Sequence, residues 1–133
     1  MNRPYWVLDT GALLAYVHGV PALGEALVEV VDAEGHVAVP LACLLEAYSL
    51  LEPDEHEMLR MLRRNPAVRT VLPALDLDSD DEAPTIGGMA RHTGRLGAGH
   101  AAWVALAGQA GVITSRPDQI RVVLGEDWEF LEV

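Results

Sequence analysis

Two carboxylates occupy positions where a carboxylate is costly. In YWVLDTGALLAYV, residues 5–17, an apolar strand-like run delivers Asp9 and turns directly into an apolar helix. In LACLLEAYSLL, residues 41–51, Glu46 has Ala42, Cys43, Ser49 and Leu50 at helical spacing, so no face of that segment is charged. Burying an unpaired carboxylate costs several kcal/mol, so each acid needs compensation. Asp9 could cap the helix that begins near Gly11, serve a site, or do both. Glu46 could look out along a narrow polar edge with Ser49, pair with an arginine, or converge with Asp9. Convergence would place the two groups about 4–6 Å apart and suit Mg²⁺ or Mn²⁺, which prefer oxygen ligands.

The elements around these acids decide between the options. Strand-like runs fall at 5–8, 37–39, 68–72, 112–114 and 128–133, the last as an edge strand. Helical spacing covers 11–18, 21–32, 41–51, 54–64 and 96–110, residues 76–93 begin very acidic and become a helix through Met89, Ala90 and His92, and Pro40 suits a first helical turn. Strands alternating with helices predict an α/β fold, a three-layer α/β/α arrangement around a mostly parallel sheet of four to five strands. No repeat or linker marks a second domain within the 133 residues, so one domain is expected over 1–133. Asp9 then lies at the carboxyl end of a parallel strand, where open α/β sheets build their ligand sites.

Composition narrows the chemistry. The net charge is −11 and lysine is absent, which removes Schiff-base lysines and phosphate-loop lysines. The acidic balance opposes non-specific nucleic-acid binding, so a nucleic-acid partner would need local arginines or bound metal. Arg60, Arg63 and Arg64 form the one basic patch that could meet an RNA backbone. No apolar run approaches the roughly 18–20 residues that span a bilayer. No signal-peptide pattern is present either, so a cytoplasmic protein with no membrane partner is expected. The lone cysteine, Cys43, reads as a small core residue.

Taken in order, these segments resemble a known family. VLDTGALLAYV, then VAVP running into LLEAYSLL, then LGAGHAAWVALAGQAGVITSRPDQI, are similar to the PIN domain, the nuclease fold of VapC-type toxins. The resemblance covers most of the chain. It implies metal-dependent hydrolysis of RNA phosphodiesters, with four acids holding one or two Mg²⁺ or Mn²⁺ ions that activate water. It further implies an antitoxin protein and RNA as partners, and the apolar helices at 11–18 and 41–51 leave room for a homodimer face. Asp9 matches the family's first acid and Glu46 its second. Thr10 matches the small hydroxyl residue after the first acid, and Thr114 the threonine ending the later strand.

The third and fourth acids are missing. Counting back from Thr114 puts the third at Ala98 or Gly97, and the fourth falls on Arg116, directly before Pro117. Arg116 could stand in the metal's place, because arginine pairs bidentately with carboxylates. Asp118 could replace the fourth acid if the loop is re-bent. His100, near the missing third acid, could donate to Asp9, ligate Zn²⁺ or Mn²⁺, or bond to backbone.

Other signals are weaker. DLDSDDE, residues 76–82, opens like a calcium loop, but Asp81 and Gly87 stand where an EF-hand needs Gly and Glu. The glycines at 94, 97 and 99 lack phosphate-loop spacing. A phospho-receiver domain would need paired acids and a later lysine. Two functions remain in view: a ribonuclease working with Asp9, Glu46 and Asp118, or a degenerate PIN fold that binds a protein or RNA without cleaving it.

Overall fold

The computed structural model describes residues 3–133. The strands β1 (Trp6–Leu8), β2 (Val37–Pro40), β3 (Val68–Val71), β4 (Gly111–Thr114) and β5 (Phe130–Glu132) form one sheet in the order β3-β2-β1-β4-β5. Every pairing is parallel, with Trp6 opposite both Val37 and Gly111, so the sheet is wholly rather than mostly parallel. Among the described residues, seven helices surround it: α1 (Thr10–Val17), α2 (Pro21–Asp32), α3 (Leu41–Leu50), α4 (His56–Arg64), α5 (Ala83–Thr93), α6 (Leu96–Gly108) and α7 (Pro117–Leu124). A 3₁₀ turn at Pro53–Glu55 leads into α4. The expected three-layer α/β/α fold is the one observed.

Burial follows from strand position. Val7 and Leu8 of β1, all of β2 and all of β4 are buried, because these strands are covered on both faces. Edge strands β3 and β5 are only partly buried. The core is built from Val, Leu and Ile of the three central strands, with Leu23, Leu59, Leu62 and Ile120 entering from α2, α4 and α7.

The acidic start of 76–93 makes turns, with the Asp76 carboxylate accepting from the Asp78 N–H at 3.0 Å, and helix α5 then runs from Ala83 through Met89, Ala90 and His92. Helix α7 has no counterpart in the sequence reading, which left 115–127 without an element. Its signals are Pro117 in the first turn, Asp118 beside it and an apolar stripe of Ile120, Val123 and Leu124. The remaining boundaries agree within a few residues. Among the described residues, no single helix is long and apolar enough to cross a membrane.

Helices α5 and α6 approach closely because α6 is rich in small residues. A Cβ on Gly99 would meet the Ala90 backbone N and Cα, whereas one on Gly88 would meet nothing. Gly99→Ala should therefore lower unfolding free energy by about 1–3 kcal/mol, since backbone must shift. Gly88→Ala should raise it by about 0.5–1 kcal/mol through helix propensity. Urea unfolding of both variants checks this; equal effects would contradict the close packing.

Candidate functional site

Asp9 follows β1 directly and caps α1. Its Oδ1 accepts from the Ala12 N–H at 2.9 Å, and the residue is 7% exposed. Capping explains why strand and helix join without a loop: the carboxylate satisfies an amide that helix geometry leaves free. Burial pushes its pKa up from 3.8 to about 6, against the lowering influence of the Thr114 hydroxyl, the Ala12 and Gly11 amides and the Arg95 guanidinium. Desolvation of the charged form outweighs all of these.

Glu46 comes from the middle of α3 and reaches across to α1 and α6. The Thr10 hydroxyl donates to its Oε1 at 2.8 Å, and the Gly97 N–H donates to its Oε2 at 3.1 Å. An Arg95 guanidinium nitrogen lies 3.6 Å from Oε1. Position 97 must be glycine for this, because a Cβ there would strike the Glu46 carboxylate and crowd the Thr10 hydroxyl. The Cys43 thiol donates to the Gly97 carbonyl at 3.1 Å. Burial, then the Asp9 charge, and further on that of Glu46, push the thiol's pKa upward. It is an inert packing group. Glu46 meets Thr10, the residue after Asp9, so both acids stand at the carboxyl end of β1.

The other expected residues divide. Thr10 and Thr114 belong to the cluster; the Thr114 hydroxyl also accepts from the Arg116 N–H at 2.9 Å. Arg116 and Asp118 do not reach the acids. Arg116 Nε lies 3.6 Å from Asp118 Oδ1, with side chains 66% and 73% exposed. The reason is α7: Pro117 opens the helix, and its first turn carries Asp118 outward, where Arg116 meets it. The expectation that Arg116 replaces a metal is thereby corrected, and the arginine beside Glu46 is Arg95. Its signal was its place at the N-cap of α6, next to the missing third acid. His100 neither donates to Asp9 nor joins the acids. Its Nδ1 accepts from the Ala42 N–H at 3.2 Å, which is the backbone role among the three expected, and burial pushes its pKa down.

Thr10, Glu46, Arg95, Ala98, Ser115 and Arg116 line a narrow cleft of about 90 Å³, and Asp9, the residue before Thr10, is not part of its lining. Ligand pockets commonly hold roughly 300–1,000 Å³, so this cleft does not enclose a nucleotide. The donor set does not fit a protein-held Mg²⁺ or Mn²⁺. Both Glu46 oxygens are engaged, Asp9 binds a proton more readily than usual, and a guanidinium brings positive charge to the same place. Among the described residues, no group of three or more His, Cys, Asp and Glu side chains could hold an ion.

Neither a protein-family model nor a curated relative matches this chain. Among solved structures, the crystal structure of PAE2754 from Pyrobaculum aerophilum is similar at 14% identity, with a TM-score of 0.56 over 92% of this chain and 87% of that one. At that identity the likeness is one of fold.

The raised Asp9 pKa has a thermodynamic consequence. Between 3.8 and about 6 the folded protein retains a proton that the unfolded chain has released, so stability falls as pH rises through that window and levels off above it. Asn caps helices as well as Asp does. Asp9→Asn should therefore raise stability by about 1–3 kcal/mol at pH 8, with the gain vanishing near pH 4. Urea unfolding at the two pH values measures it, and a loss of stability at both would contradict a desolvated carboxylate.

Proposed function

We propose that this chain is a PIN-type domain of the VapC toxin kind in which metal-dependent RNA cleavage is weak or lost, and which acts by binding a protein partner. The observation that carries the reading is the engagement of Glu46. The one acid lining the cleft is held by the Thr10 hydroxyl, the Gly97 amide and Arg95. In the family that the sequence resembles, four acids create a negative charge that only divalent ions can neutralise. Here two acids stand beside an arginine, and their charge is met from within the chain.

A protein partner is favoured over RNA by the surface. The arginines of α4 are engaged: Arg60 pairs with Glu57, Arg64 lies 3.7 Å from the same carboxylate, and Arg63 donates to the Tyr48 hydroxyl at 3.3 Å. On the other hand, Leu45 and Leu50 of α3 and Met58 and Met61 of α4 are exposed. Apolar side chains on neighbouring segments suit an antitoxin-type protein or a second copy of the chain. A net charge of −11 weakens attraction to a polyanion.

Calorimetry with Mn²⁺, paired with an RNA degradation assay in Mg²⁺ and Mn²⁺, tests this. The native chain should bind Mn²⁺ with a Kd on the order of 1 mM or weaker, and leave RNA intact. A variant carrying Arg95→Ala, Ala98→Asp and Arg116→Asp should bind at least about tenfold more tightly, because it restores oxygen ligands and removes two cations. Tight binding and metal-dependent cleavage by the native chain would support an active endoribonuclease instead.

A further inference from the structure

A larger cleft, about 560 Å³, lies on the other side of α6, between that helix and the β2–β3 edge. It exists because α6 packs over β1 and β2 and leaves the outer strand uncovered. Arg69 stands opposite Ala38 in the register and Val71 opposite Pro40, so Ala38, Arg69 and Val71 share one face of the sheet. Small side chains at Ala38 and Ala107 leave the volume open. Its size falls within the range of about 300–1,000 Å³ usual for small-molecule sites.

Two polar groups of this cleft, His100 and Arg69, lack an acceptor among the described residues. His100 is 2% exposed, and its Nδ1 accepts from the Ala42 N–H. A neutral imidazole with an accepting Nδ1 carries its proton on Nε2, and that buried atom has no partner among the described residues. A buried donor left unpaired costs roughly 1–3 kcal/mol, so an acceptor is called for. Arg69 is exposed and makes no ion pair among the described residues. Glu82, near enough to favour the charged form of His100, has turned its Oε1 to the Ala74 N–H at 2.8 Å. Trp103, half-buried on α6, supplies a flat apolar wall.

An unmatched donor, a free cation and an indole face together ask for a flat heteroaromatic body with a ring acceptor and a remote negative charge. We propose that this cleft binds a mononucleotide, with a base acceptor on His100 Nε2–H, the base against Trp103 and the phosphate on Arg69. Guanidinium suits phosphate through bidentate bonding, and stacking on an indole accepts any base. The proposal is independent of the Glu46 cleft and of the reading given to it.

Nuclear magnetic resonance titration with adenosine or uridine monophosphate tests it, following the His100 imidazole and Trp103 indole N–H signals. Both should shift and saturate with a Kd on the order of 0.1–1 mM. Arg69→Gln, an exposed change, should weaken binding about tenfold. His100→Asn should do likewise, since the amide oxygen can take over the Ala42 bond while the Nε2 donor is lost. Absence of saturable shifts with either nucleotide would overturn the proposal. So would binding that Arg69→Gln leaves unchanged, or saturation by indole-3-acetate where neither nucleotide binds. A His100 signal that responds to Glu82→Gln but to no nucleotide would assign the imidazole proton to Glu82 and overturn it too.

Discussion

The Glu46 carboxylate ties three helices that no strand pairing joins. It starts on α3, takes a proton donor from the first residue of α1 and another from the second residue of α6. Each bond meets a group that helix geometry leaves free or a hydroxyl that would otherwise lie unpaired at the sheet edge. The glycine at 97 is the steric condition for this meeting, and the thiol of Cys43 packs onto the same peptide unit. Remove the carboxylate, and a helix N-terminus and a threonine hydroxyl both lose their partner. The architecture at the carboxyl edge therefore depends on an acid in a place where many folds would put a ligand.

Charge follows from that arrangement. A carboxylate that accepts two hydrogen bonds and faces a guanidinium has little left to offer an ion. Asp9, buried at the end of β1, serves the backbone, and its desolvation favours the protonated form. The two acids thus have different roles: one is a cap, the other a clamp. The cleft above them is narrow and carries arginines at its rim. The roomier cleft lies across α6, where the unpaired His100 Nε2 and the exposed Arg69 stand with one acid, Glu82, in the lining.

The fold was legible from sequence because periodicity and turn residues agreed. Strand, helix and strand repeated with Pro21, Pro40, Gly35 and Gly94 near their boundaries, and the buried strands carried Val, Ile and Leu. Helix α7 went unread because its eight residues mix Asp118, Gln119 and Arg121 with a short apolar stripe. At the site, Asp9 and Glu46 were recognisable, since acids in apolar segments demand explanation, whereas Thr10 and Thr114 were marked only by the resemblance to PIN domains. Arg95 was not, because an arginine before a helix reads as ordinary surface, and its reach to Glu46 depends on how α3 and α6 cross. Arg116 misled for the converse reason. Its position in the chain is right, but a neighbouring acid, Asp118, lies closer in space than the cleft acids do. For His100 the sequence leaves three roles open, of which the backbone one is seen, and its unpartnered second nitrogen is visible only in three dimensions.

The central claim is that Glu46 is neutralised from within the chain, with Arg95 as its counter-charge. A double-mutant cycle with Glu46→Gln and Arg95→Gln, read as unfolding free energy with and without Mn²⁺, measures it most directly. The Arg95 side chain is 49% exposed, so solvent screens the pair. The account predicts a favourable coupling of about 0.5–1 kcal/mol, weakened by salt and unaffected by millimolar Mn²⁺ in the native chain. Additive effects of the two substitutions, together with strong stabilisation of the native chain by Mn²⁺, would contradict it.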